Sequence, residues 1–211
     1  MTGKEMSTES ALADNSELSN LGIDIKNDDQ RMRQYKTLAA AFSYPDGPFF
    51  GHFPDLMDDK QSLMVEYDRL FRAGKVWLYG TEYLIKNEFQ RANLLSDIMG
   101  FYTAFGMEPD KERPDSITCE MDFMHALILK RDRAGQLPAD DQAKEKTDVC
   151  LDAERKFFIQ HLEPVAVLIA EKIISQSENC FYVNIAKDML EFLASEREHF
   201  ALIAATDIKQ Q

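Results

Sequence analysis

The sequence contains no run of about 18 apolar residues, the length that a membrane-crossing helix needs, so nothing in it is expected to span a bilayer. Its first residues lack the basic, then apolar, then small-residue order of a secretory signal. Cysteine is scarce. Cys119, Cys150 and Cys180 are odd in number, far apart and without a Cys-x-x-Cys pair, which speaks against a disulfide framework or a zinc site. They read as reduced thiols of a cytoplasmic protein. Positive charge is also short: 24 Lys and Arg stand against 37 Asp and Glu, a net charge of −13. Nucleic acid is thereby disfavoured, because phosphate binding runs on clustered cations. An anionic membrane surface is disfavoured for the same reason, so no stable membrane association is expected. An acidic surface suits a basic partner by steering its approach, and it also serves solubility alone.

What is present suffices for one domain. A chain of 211 residues with a hydrophobic fraction of 45 % can bury a real core, at this size about 70 % of its unfolded surface. Alternating strand patterns are missing, and the apolar residues recur at three-to-four spacing, as in Leu94, Leu95, Ile98, Phe101, Tyr102 and Phe105. The expected fold is therefore all-α, a single-domain helical bundle with a central linker. Helices are expected at 28–42, 61–73, 84–105, 115–134, 148–162, 164–176 and 180–200, the first capped by Asp28 or Asp29. Residues 1–27 are polar and acid-rich and read as a flexible leader, leaving 28–211 as the helical domain. Asp46 to Lys60, with Gly47, Pro48, Gly51 and Pro54, reads as a long loop docked by Phe49, Phe50 and Phe53. Gly135 to Thr147 reads as an internal linker.

Catalytic patterns are hard to find. No nucleophile lies in a Gly-flanked elbow, and phosphate-cradling loops are absent. Glu196-x-x-His199 is half of a di-iron bundle signature, which needs that motif twice and two further glutamates. The alternative there is a solvated helix face. His125 and His161 sit among apolar neighbours, where a core histidine is the default over a ligand. No catalytic residue, metal ligand or cofactor is expected.

The richest stretch runs from Phe101 to Leu127. Gly106 can take the left-handed conformation that ends one helix, and Pro114 suits the opening of the next. Asp115 or Ser116 can cap it. The new helix carries Ile117, Met121, Met124 and Ile128 on one face, with Glu120 and Asp122 beside it. Pro114-Asp115-Ser116 followed by Glu120-Met121-Asp122-Phe123-Met124 resembles the junction of the TorD/NarJ-type chaperones of molybdoenzymes, where the family pattern has a histidine at the position of Ser116. Glu66 to Phe71 is similar to the family's Leu-Phe motif, Leu78 to Tyr83 to its Tyr-Glu-Ser-Val-Tyr segment, and Phe157 to Pro164 to its His-Leu and Pro pattern, with Val165 where tryptophan often follows. The Phe-Tyr-x-Ala-Phe-Gly and Glu-Arg-Pro-Asp wording resembles most the subgroup serving type II enzymes of the dimethyl sulfoxide reductase family.

The resemblance implies a cytoplasmic, non-catalytic assembly chaperone, a monomer or a domain-swapped dimer. It would bind the catalytic subunit of a molybdopterin oxidoreductase, including its twin-arginine leader, until molybdenum cofactor and iron–sulfur clusters are inserted. Asp115 and Glu120 would receive arginines if both face a groove, with Pro114, Ser116 and Phe123 as further client-binding candidates. Phe71, Trp77, Leu78, Tyr79 and Tyr83 are candidates to line it, although Trp77 could equally plug the core and Asp115 could be a cap alone. Ten methionines, Met121 and Met124 among them, suit either an adaptable surface or a helical core. Two other classes fit the residues: a di-iron-type helical protein, and a helical adaptor that binds folded partners without a leader.

Overall fold

The computed structural model of the chain describes residues 27–109, 112–137 and 141–209. The expected leader lies outside them, apart from Asn27. The described residues are helical almost throughout and build no sheet, as the all-α expectation requires. Helix α1, Asp28–Ala41, is opened by Asn27 rather than by either aspartate. The Asn27 side chain accepts from the Gln30 N–H while the Gln30 side chain accepts from the Asn27 N–H, a reciprocal capping box. Asp28 and Asp29 occupy the first turn, where their charges meet the positive end of the helix.

The segment expected as a loop at 46–60 is mostly helical. Helix α2, Gly47–His52, is followed by a 3-10 turn over Pro54–Asp59. Pro48 and Pro54 fall in the first turns, where a missing N–H leaves no bond unmade. The expected docking does occur: Phe49 and Phe50 are buried, and Phe49 and Phe53 pack on Phe181. Helix α3, Lys60–Tyr67, runs into a widened π turn at Asp68–Arg72. Helices α4, Thr81–Leu84, and α5, Glu88–Ala104, follow, the latter capped by Asn87 through Phe89 N.

Helix α5 ends as expected at Gly106, whose φ is 65°. Gly106 N bonds Thr103 O and Met107 N bonds Tyr102 O, so the last carbonyls of the helix are satisfied. Helix α6, Ile117–Gly135, begins two residues later than expected. Helix α7, Asp141–Phe157, absorbs 141–147, which were expected to belong to a linker. Ala143 and Cys150 are buried on its inner face, and Ala, Lys and Glu are good helix formers in between. A second π turn, Phe158–Leu162, joins α7 to α8, Glu163–Gln176. Pro164 lacks an N–H to donate, and the widened turn before it relieves the clash its ring makes with the preceding turn. Helix α9, Cys180–Lys209, closes the bundle.

Helix α1 packs on α6, α6 on α7, α8 on α9, and α9 back on α1. Met121, Met124, Phe123 and Phe157 are fully buried in the core. His161 is the expected core histidine, wedged between Phe101 and Phe157 and pushed below the usual imidazole range by burial, with Asp97 Oδ2 3.2 Å from Nε2 partly opposing. His125 Nδ1 lies 3.0 Å from the Met32 carbonyl.

A buried ionic network ties four of these helices together. Arg31 of α1 donates to Glu196 of α9 through Nε at 2.7 Å and Nη2 at 2.9 Å, and through Nη1 to Glu154 of α7 at 3.3 Å and Asp28 at 3.0 Å. Arg131 of α6 donates to Glu154 at 2.7 Å and to Asp28 at 2.6 Å. Tyr35 donates to Glu196 at 2.7 Å. Glu196 is therefore not on a solvated face, as its polar neighbours in sequence suggested; it is buried because Arg31 needs a desolvated bidentate partner. With both its oxygens bonded to Arg31 and Tyr35, Glu196 is not a free ligand for the di-iron alternative. Burial raises the Glu154 carboxyl, and the Arg131 and Arg31 charges only partly offset it.

Removing one member of such a set strands the others. Glu196→Ala is expected to cost about 3–5 kcal/mol, and Glu196→Gln less, because an acceptor remains. Urea unfolding reads both; a Glu196→Ala midpoint equal to the parent's contradicts this account of the network.

Candidate functional site

The approach to α6 crosses the segment after Trp77. Ile117 N donates to Leu78 O and Gly80 N to Asp115 O, both at 2.9 Å, around the isolated antiparallel bridge between Tyr79 and Ser116. Gly80 packs closely on α8: a Cβ there would stand 3.0 Å from Val165 Cγ2, which would have to shift to admit it. Tyr102 of α5 donates to Pro114 O at 2.8 Å from below. The extended backbone at Ser116 explains the late start of α6.

Asp115 is 0 % exposed and does not cap α6. Its Oδ2 accepts from Thr81 N at 2.9 Å, from Thr81 Oγ1 at 2.8 Å and from Arg113 Nη2 at 2.9 Å; its Oδ1 accepts from Arg113 Nε at 3.0 Å. Ser116 occupies the cap position, yet its hydroxyl pairs with Thr118 rather than with the backbone. The Arg113 guanidinium reaches on to Glu82 Oε1 at 2.9 Å and lies 4.4 Å above the Tyr79 ring. Arg91 donates to the same Glu82 oxygen at 2.7 Å. Burial works against the Arg113 charge, but the Asp115 and Glu82 carboxylates outweigh it and hold the guanidinium above its ordinary value. Glu82 is lowered in turn, first by its bond from Arg113.

Glu120 lies one helical turn on, 1 % exposed, with Oε2 lacking any partner. Burial, and then the Asp115 charge, push its carboxyl well above the usual range, which favours the neutral acid. Asp115 and Glu120 thus do come together, but beneath the surface rather than on an open groove. Phe123 is core, against Tyr102, Phe105 and Phe157. Phe71 is core too, against Tyr67 and Tyr182, and Leu78 is buried. Pro114 is half-buried.

The exposed members are aromatic. Trp77 is 43 % exposed and does not plug the core; its ring lies over Gly74, whose φ of 73° closes the turn before it. Tyr83 clamps the Trp77 backbone, its hydroxyl donating to Trp77 O at 2.8 Å and accepting from Trp77 N at 3.1 Å. Leu84 at 41 % and Phe89 at 74 % extend the exposed apolar surface along the chain. Tyr79 is half-buried, its hydroxyl 3.5 Å from the exposed Glu112 carboxylate. Arg113, Thr81, Glu82 and Arg91 were not foreseen; the one hint was the Arg-Pro-Asp order, which sets a guanidinium two residues from a carboxylate.

The architecture is all-helical, with a buried acidic junction beside exposed aromatic residues. The sequence matches the family described as nitrate reductase delta subunit over residues 26–169, more than half of the chain, and the chain belongs to that family. These are NarJ/TorD-type chaperones of molybdoenzyme assembly, not enzymes, and the family implies partnership with a molybdoenzyme catalytic subunit. No curated protein and no solved structure gives a significant match. The matched span contains Arg31 and the whole junction and stops within α8. Among the described residues no helix is long and apolar enough to cross a membrane.

A carboxyl whose folded pKa is raised binds more protons folded than unfolded, so its effect on stability worsens as pH climbs above the ordinary carboxyl range, about 4.3. Glu120→Gln removes that decline. Its stability relative to the parent is expected to improve from about pH 5 to about pH 8, measured as urea midpoints across that range. Parallel pH profiles for the two proteins contradict a raised Glu120 carboxyl.

Proposed function

We propose that this chain binds, in the cytoplasm, the catalytic subunit of a molybdenum-containing oxidoreductase, and takes its twin-arginine leader at the surface formed by Trp77, Tyr79, Tyr83, Glu82 and the Arg113–Asp115 junction. A leader held there cannot engage the export machinery, and the subunit stays available for insertion of molybdenum cofactor and iron–sulfur clusters. The mechanism is occupancy, and it asks for no cofactor on the chaperone. A client of the type II dimethyl sulfoxide reductase group fits the junction wording best.

The observation that carries this reading is the chemistry around Asp115: two carboxylates and an aromatic face, complete for holding a guanidinium. The net charge of −13 supports it by favouring the approach of a basic peptide. Charge-assisted bonds are worth about 1.5–3 kcal/mol each when shielded and about 0–1 kcal/mol when exposed. Two arginines alone therefore fall short of a micromolar complex, about −8 kcal/mol. The exposed Trp77, Leu84 and Phe89 supply apolar surface for the rest, at roughly 25 cal/mol per Å2 over a few hundred Å2 before ordering costs.

Trp77 is exposed, so Trp77→Ala should leave the melting temperature within a few degrees while weakening binding of a synthetic twin-arginine leader about five- to thirtyfold. Calorimetric titration measures it. Equal affinity of the parent for a leader with both arginines changed to glutamine would contradict the proposal. So would native co-purification, read by mass spectrometry, that yields partners but no molybdoenzyme subunit.

A further inference from the structure

We propose that Arg113 is a resident occupant of the site, a guanidinium held in cis that a client arginine displaces; this rests on the leader reading above. Every group that holds it belongs to another residue. Asp115 takes Nε and Nη2 at 3.0 and 2.9 Å, Thr81 Oγ1 accepts from Nη2 at 2.6 Å, Glu82 takes Nη1 at 2.9 Å, and Tyr79 offers its ring face at 4.4 Å. The carboxylate beneath is fully buried, whereas the Arg113 side chain is 36 % exposed. Arg113 is therefore the part of the assembly that solvent, and a partner, meets first.

The receptor keeps its shape without that side chain. Thr81 N and Oγ1 still bond Asp115, Arg91 still holds Glu82, and Tyr102 still holds Pro114 O. The backbone bonds Gly80 N to Asp115 O and Ile117 N to Leu78 O involve no atom of Arg113. What the site does not tolerate is vacancy. Asp115 is fully buried and Arg113 is the cation paired with it, so removing the guanidinium leaves a carboxylate charge beneath the surface without its counter-charge. A guanidinium has to leave as another arrives. The bidentate grip on Asp115 and the stacking on Tyr79 are selective for the planar guanidinium over an ammonium group. Arg113 thereby sets a threshold: partners offering only lysines do not displace it.

Two measurements on the full chain test the exchange. Arg113→Ala should melt lower than the parent and regain stability in millimolar methylguanidinium, but not in methylammonium at equal ionic strength. It should also bind a twin-arginine leader peptide several-fold more tightly than the parent, an advantage that disappears for the glutamine-substituted peptide. Arg113→Lys keeps a charge over Asp115 without the fork, so it should fold even if Arg113→Ala does not, and should show the same ordering at smaller size. Absence of methylguanidinium rescue overturns the site. Equal leader affinity of parent and both variants overturns the exchange while the leader reading stands. Rescue with no leader binding by any of the proteins overturns the leader reading and the exchange that rests on it.

Discussion

The bundle depends on the buried Arg31 guanidinium. It lies between α1, α7 and α9, and Arg131 adds α6 through the same carboxylates. Two cations stand against three carboxylates, Asp28, Glu154 and Glu196, in a site closed on one side by the Phe200 ring 5.3 Å from Arg31. Desolvating such groups is costly, and the network repays that only when every hydrogen bond is made. The helices cannot slide past one another without opening several of these bonds at once. An apolar core alone would tolerate such shifts more readily.

Helix α6 carries that rigidity to the site. Its C-terminal half delivers Arg131 into the network, and its first residues are preceded by Asp115 and followed by Glu120. The junction is pinned from two further sides, by Tyr102 on Pro114 and by the backbone pairing with Leu78 and Gly80. Glu66 of α3 ties the 68–72 turn to the connection between α8 and α9 in a similar way. Its carboxylate binds Arg69, Ser177 Oγ and Glu178 N, and Arg69 foremost lowers its pKa to about 2. The segment from Leu78 to Gly80 is thus paired to the start of α6, itself fixed by Tyr102 and by the Arg131 bonds.

Much of this was legible from residue order. Helical periodicity identified the all-α class, Gly106 marked the end of α5, and the Met121 and Met124 spacing pointed inward. Local pattern failed where long-range pairing decided the outcome. Residues 46–60 looked like a loop because of their glycines and prolines, yet Phe49 and Phe50 bury well enough to fold them into short helices. Residues 141–147 looked like a linker because of their charge, while their helix needs only Ala143 inside. Glu196 looked solvated because its partner Arg31 is 165 positions away. The site showed the same limit: Asp115 and Glu120 could be singled out, but not that Arg113 already binds Asp115 or that Thr81 and Glu82 complete the grip.

As a chaperone of the nitrate reductase delta subunit family, the chain needs a surface that recognises a client without chemistry. In the proposal made above, that surface is the Trp77–Leu84 and Glu112–Met121 crossing, and the Arg31 network serves the frame. Hydrogen exchange with and without a twin-arginine leader peptide tests this division most directly. Protection should rise at 77–84 and 112–121 and stay unchanged in α1 and α9 around Arg31 and Glu196. Protection that instead rises in the groove lined by Leu56, Leu63, Phe181 and Asp188, with none at the crossing, would contradict the account.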